Sequence, residues 1–389
     1  MMIRAFLLLP LLILMAGCGT METVGGWFSS KDKNVNPPTP LVDVTTTINV
    51  TELWSRNTGK GTDNQYLELT PAVAGQRIYI VDADGRLTAM DASNGRELWD
   101  ARARARITGG PGLGSDTVLL GTDQGVVIAY AAADGKELWR ARVSSEILSP
   151  PQRSGNTVVV RTLDGKLFGI NAANGNRTWV YDRSVPSLTL RGTSRPVIED
   201  DIVVSGFDGG RLVSLELDSG RVLWETRVAV SQGRSELEQM VDIDSEPVIV
   251  DGVIYVVTFQ GQLSAVELES GRLLWSREVS SYAGFSVDDN NVYVSDDNSQ
   301  VHAYDRYSGS QLWTQDKLRF REITGPGDVG DYLVVGDLEG YLHWMNKDDG
   351  SFAARNRVSK KRIIAQPVVA GKFVYVYGTD GTLAAYTYR

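Results

Sequence analysis

The stretch PAVAGQRIYIVDADGRLTAMDASNGRELW, from Pro71 to Trp99, decides the fold. Within it Arg77-Ile78-Tyr79-Ile80-Val81 and Arg86-Leu87-Thr88-Ala89-Met90 alternate with period two, and Asp84-Gly85 and Asn94-Gly95 punctuate them. Such alternation points successive side chains to opposite faces of a strand, while Asp-Gly and Asn-Gly supply the backbone that tight hairpins demand. The stretch therefore reads as an antiparallel meander of four short strands.

Outward from this unit the chain repeats it. The turn glycines Gly85, Gly125, Gly165, Gly210, Gly261, Gly340 and Gly381, with Ser299 in the remaining place, mark eight units. Fourteen residues before each mark stands Pro71, Pro111, Pro151, Pro196, Pro247, Phe285, Pro326 or Pro367. Ten residues after come Gly95, Gly135, Gly175, Gly220, Gly271, Gly309 and Gly350, and fourteen after come Trp99, Trp139, Trp179, Trp224, Trp275, Trp313 and then Ala354. Four-stranded units 38 to 51 residues long are propeller blades, each burying its faces only against its neighbours. The expectation is an all-β chain forming one eight-bladed β-propeller with four-stranded antiparallel blades.

The last unit stops at Tyr388-Arg389 without its outer strand, and Glu52-Leu53-Trp54 matches Glu97-Leu98-Trp99 without the strands before it. The two ends should complete one blade and close the ring, removing the open edges that recruit other chains. Counting across the Asn94-Gly95 turn puts Ala89 opposite Trp99. The same count puts Ala129, Gly169, Ser214, Ala265 and Ala303 opposite the other tryptophans. In the seventh unit the order is exchanged, Trp344 facing Ala354, and Ala385 should face Trp54 across the closure. Large against small is cross-strand packing, so the tryptophan column belongs to the core.

Composition agrees: 15 Tyr, 9 Trp, 40 Gly and 13 Pro with many short Val/Ile runs suit turn-rich β structure. A formal charge of −9 argues against nucleic acid or anionic lipid as the main partner, since either needs a basic field. The single cysteine, Cys18, rules out a disulfide framework. A positive start at Met1 to Arg4, an apolar run from Ala5 to Leu14 and the small residues Ala16-Gly17 have the layout of a signal peptide over residues 1–17. Met15-Ala16-Gly17-Cys18 also resembles the bacterial lipobox, which implies cleavage before Cys18 and its lipidation. Gly19 replaces the Asp that commonly retains lipoproteins at the inner membrane, which favours the outer membrane. Residues 18–47, polar and containing Pro37, Pro38 and Pro40, read as a flexible tether reaching roughly 30 Å, and residues 48–389 as the propeller.

Catalytic chemistry is hard to find. His302 and His343 occupy a strand position held elsewhere by Thr88, Ile128, Phe168, Val213, Ser264 and Ala384, so the fold does not require imidazole there. No His/Cys cluster, phosphate loop or nucleophile elbow appears. Asp82-Ala83-Asp84-Gly85 lacks the further acidic ligands of a calcium loop and reads as a β-turn. Ala101-Arg102-Ala103-Arg104-Ala105-Arg106 reads as a charged outer strand that discourages sheet-to-sheet association, or as a grip for an acidic partner. No metal or cofactor site is expected.

Departures from the repeat say more. From the tryptophan position to the next proline position the spacing is 12, 12, 17, 23, 10, 13 and 13 residues. Two neighbouring connections, Trp179 to Pro196 and Trp224 to Pro247, are thus lengthened. Both join an outer strand to the next inner strand, so they should emerge side by side on one face, where insertions in repeat proteins mark a binding surface. The first holds Pro186-Ser187-Leu188-Thr189-Leu190-Arg191-Gly192. The second is acidic, with Glu236, Glu238, Asp242, Asp244 and Glu246. Leucines beside an arginine suit an interface hot spot.

With these residues in place the chain resembles the BamB family, lipoprotein subunits of the Gram-negative outer-membrane β-barrel assembly (Bam) machinery. The resemblance rests on the lipobox, the quinoprotein-like blades, Ser187 to Gly192, Asp242-Ile243-Asp244, and Gly336-Asp337-Leu338-Glu339-Gly340-Tyr341-Leu342-His343-Trp344. It implies a non-enzymatic scaffold at the periplasmic face of the outer membrane that binds the POTRA domains of BamA and helps nascent outer-membrane proteins reach it. By the same resemblance Leu188, Leu190, Arg191, Asp242 and Asp244 are the partner-binding residues. Arg191 is then held by a partner carboxylate or by Asp242 and Asp244. The competing class is a dehydrogenase using pyrroloquinoline quinone, which shares the blade pattern but typically carries paired cysteines, a calcium site and more chain. A polysaccharide binder would place aromatic residues in the long connections, which hold few.

Overall fold

The alternating runs fold as strands. The computed structural model describes residues 36–63, 65–182, 194–230 and 241–389. The unit from Pro71 to Trp99 forms strands Ala72–Ala74, Arg77–Val81, Arg86–Asp91 and Glu97–Arg102, paired in that order. Seven further four-stranded antiparallel sheets follow, giving eight blades. In the eighth, Val50–Asn57 pairs with Thr382–Tyr388, followed by Phe373–Tyr377 and Val368–Ala370, with Trp54 opposite Ala385 as expected. The inner strand Ala72–Ala74 of the first blade adjoins Val368–Ala370 of the eighth, so the ring is closed.

The tryptophan register is also as expected, Trp99 facing Ala89, Trp139 Ala129, Trp179 Gly169 and Trp344 Ala354. The structure adds what unit-internal spacing could not reveal, that each ring fastens one blade to the next. Trp54 Nε1 donates to the Ala92 carbonyl, Trp99 to Ala132, Trp139 to Ala172 and Trp179 to Leu217, at 2.8 to 3.2 Å. Trp224, Trp275 and Trp313 repeat this on Leu268, Arg306 and Lys347. The accepting turn must pass directly under the indole, and a Cβ on Gly135 would lie 2.5 Å from Trp99 Cε3. The glycine thus serves both a positive φ and this close approach. The joint from the seventh to the eighth blade differs: Trp344 sits fully buried inside its own blade, and its ring meets Tyr388 at 5.9 Å.

Two expectations need correction. The tether does not run free to Thr47, because Thr39 donates its amide to Arg319 O at 3.0 Å, Leu41 packs against the core between the sixth and seventh blades, and Thr47 donates to Ala353 O at 2.9 Å. The compact body begins at Pro38, ten residues earlier than the expected Ile48. Polarity and prolines concealed this, since main-chain hydrogen bonds and one leucine leave no periodic pattern. The arginine run is not one strand either. The strand ends at Arg102, Arg104 turns the backbone into the left-handed region at φ 51°, and Arg106 lies in the connection beyond. Asp82 Oδ1 accepts from the Arg86 amide at 2.8 Å, in the β-turn read from the sequence.

Candidate functional site

Connections between blades and the turns between second and third strands share one face. Their hydrogen bonds say so: Ile107 N donates to Ala83 O, Ile147 N to Thr122 O, and Ile243 N to Phe207 O. The described feet of the two lengthened connections, Ser194 to Arg195 and Val241 to Glu246, lie on this face. Of the expected site residues, Leu188, Leu190 and Arg191 lie outside the described residues, whereas Asp242 and Asp244 are described. The feet of the connections meet: Arg195, closing the first, forms an ion pair with Glu246, closing the second. Ser194 and Ile243 are buried against Gly206, where a Cβ would lie 2.2 Å from Ile243 Cγ2. Only glycine lets the second connection press this closely onto the fourth blade.

That approach carries Asp242 and Asp244 into a charged pocket. Asp242 is buried, and its Oδ1 accepts from the Gly209 amide at 3.2 Å. Arg161, 2% exposed, stacks over the Phe207 ring at 4.4 Å with Nη2 3.8 Å from Asp208 Oδ1. Among the described residues its Nε and Nη1 have no hydrogen-bond partner, and neither does either carboxylate oxygen of Asp244, although all are shielded from solvent. Burial, with Asp242 adding to it against the pull of Arg161, pushes the Asp244 carboxyl up to about 7. Burial also raises Asp208 and lowers Arg161, the latter against the attraction of Asp208, Asp244 and Asp242. Enclosed donors and acceptors without partners are costly, at about 1–3 kcal/mol each, and are sustained where something else supplies the partner.

Sequence reasoning missed Arg161 and Asp208. The signal was present, because the position four residues before the turn mark is otherwise Val81, Gly121, Gly206, Val257, Ser295, Gly336 or Tyr377. An arginine in that apolar and small column is an exception that packing does not explain.

Tyr66, Glu68, Tyr282, Glu322 and Arg362 border a second recess, of about 10 Å³. That is room for one water, whereas a cofactor-sized ligand needs a few hundred Å³. A tricyclic quinone does not fit there. Among the described residues no group of three or more His, Cys, Asp and Glu could hold a metal ion.

The model of a protein family described as outer membrane protein assembly factor BamB matches residues 49–106, 94–315 and 305–389. An outer membrane protein assembly factor BamB of Pseudomonas aeruginosa is 47% identical over 382 residues, covering 98% of each chain. The crystal structure of BamB from Moraxella catarrhalis superposes with a TM-score of 0.80 at 27% identity, over 87% of this chain and 99% of that one. A quinohemoprotein alcohol dehydrogenase from Comamonas testosteroni shares the fold, with TM-score 0.70 at 13% identity over 87% of this chain and 76% of its own. Blade architecture is thus shared widely, whereas sequence identity along nearly the whole length singles out one group: this chain belongs to the family of outer membrane protein assembly factors BamB.

Proposed function

We propose that the protein is a non-enzymatic scaffold of outer-membrane protein assembly, which docks the periplasmic POTRA domains of BamA on the face carrying the two lengthened connections. The observation that carries this reading is the Asp244 carboxylate, enclosed beside Arg161 and Asp242, to which no described residue supplies a hydrogen-bond donor. A partner's basic or amide group supplies that donor on docking. Leu188 and Leu190 lose water against the partner, and Arg191 pairs with a partner carboxylate or with Asp242 and Asp244. Lipid on Cys18, following removal of residues 1–17, holds the propeller at the periplasmic side of the outer membrane.

Co-purification of BamA with a Leu188→Ala, Arg191→Ala double variant tests the docking face. Recovery should fall at least about tenfold, as expected when about 1.4 kcal/mol or more of interface energy is lost. Recovery equal to that of the unaltered protein, with an unchanged melting temperature, contradicts the proposal.

A further inference from the structure

The described residues contain a second buried charge network, far from the lengthened connections in chain order and built around the only two histidines' stronger-buried member, His343. His343 Nε2 lies 3.0 Å from Asp337 Oδ2, which also accepts from Arg321 Nε at 2.9 Å. On the other side of the ring Arg355 Nε donates to His343 Nδ1 at 3.0 Å. A guanidinium can only donate, so Nδ1 must carry a lone pair and the proton must sit on Nε2, facing Asp337. Both arginines then reach the N-terminal strap: Arg321 Nη1 donates to Thr39 O at 3.1 Å, and Arg355 Nη1 to Val42 O at 2.7 Å.

We infer that His343 and Arg355 form a proton-sensitive clamp on the strap from Thr39 to Thr47, which opens when the imidazole takes a second proton. The new proton would have to occupy Nδ1, where it points at a donor instead of an acceptor and sets imidazolium against guanidinium. Arg355 must swing away, and its hold on Val42 goes with it. The other attachments of the strap among the described residues sit mainly at its two ends: the amides and hydroxyls of Thr39 and Thr47 on Arg319 O and Ala353 O, the Arg321 contact and Leu41. Val42, Asp43, Thr45 and Thr46 are exposed, so little burial opposes release.

Groups facing the ring come from every neighbouring element. Asp337 from the turn favours the charged form. Arg355 from the outer strand and Arg321 from the connection between the sixth and seventh blades oppose it, the latter paired with both Asp337 and Glu339. Tyr341 and Phe352 pack as rings at 6.3 and 6.0 Å, and Asp43 of the strap acts on Arg355. Burial dominates and holds His343 below its ordinary 6.5. Undocking of the strap lets Arg355 leave and frees Nδ1, so the proton binds that state more tightly and shifts the equilibrium toward it as pH falls below 6.5. The neighbouring blade offers an internal control. His302 pairs with Asp296 at the same 3.0 Å, but Thr314 replaces the arginine at Nδ1, and neither residue bonds to the strap.

Because the chain has only two histidines, their ring carbon signals in ¹³C-histidine-labelled full-length protein in detergent micelles can be titrated individually. In parallel, hydrogen exchange of the Thr39 and Thr47 amides is followed against pH, corrected for the intrinsic rate. The clamp predicts that strap protection is lost with the midpoint of His343 and not that of His302, by up to about tenfold per pH unit. Arg355→Met should expose the strap at every pH and raise the His343 midpoint. His343→Gln should remove the pH dependence. Protection that ignores the His343 titration, or an Arg355→Met strap as protected as the unaltered one, overturns the inference. The measurements on unaltered protein and Arg355→Met decide the matter even if the buried His343→Gln substitution prevents folding.

Discussion

Asp244 shows how one side chain can set stability against binding. Its carboxyl is pushed up to about 7 by burial and by Asp242, from the ordinary 3.8. A carboxyl raised in the folded state favours folding while it is protonated. That contribution is present below about pH 4, the unfolded value, and fades as pH rises through 7. Asp244→Asn keeps the shape and removes the charge, so it should raise the melting temperature at pH 8 by about 2–4 °C and leave it nearly unchanged at about pH 3.5, below the unfolded value. Calorimetry at both values checks this, and the same variant should bind BamA more weakly. Asp242 and Asp244 were legible because they interrupt the repeat in a lengthened connection. Arg161 was overlooked because it lies inside a regular strand, where only comparison down its column exposes it.

Between blades, the element-scale unit of cohesion is an indole over a glycine turn. Gly135→Ala combines strain at φ 74° with a Cβ 2.5 Å from Trp99, and should cost about 3–5 kcal/mol in denaturant unfolding. Gly155→Ala, at φ 54° with nothing within 4 Å of the added Cβ, should cost about 1–2 kcal/mol. Equal costs would mean that the ring contact contributes nothing beyond backbone strain. Pairing within a blade was readable from the sequence because hairpin register follows from turn length, as Trp99 opposite Ala89 illustrates. The indole bond from Trp99 to Ala132 was not, since it crosses units that strand periodicity treats separately. The docked strap was hidden for a related reason: Thr39, Leu41 and Thr47 are isolated contacts with no period.

For the whole molecule, closure by Val50–Asn57 against Thr382–Tyr388 turns a string of blades into a ring with one face of connections and turns. Five of the seven spacings between tryptophan-position and proline-position residues are alike, at 10 to 13 residues, as a regular ring requires. What distinguishes the molecule is that its longest connections are adjacent and tied at their feet by Arg195 and Glu246. The ring shape and the position of the lengthened connections were legible because repeats expose their own exceptions. The pocket beneath them was not, since it depends on how Gly206 lets Ile243 approach. A photo-crosslinking residue at position 188 in living cells tests the docking face most directly, with a matched residue at Ser154, in a hairpin between inner strands on the opposite face, as control. The account predicts a crosslink to the POTRA region of BamA from position 188 and none from 154. Crosslinks from 154 alone, or equal crosslinks from both, would contradict it.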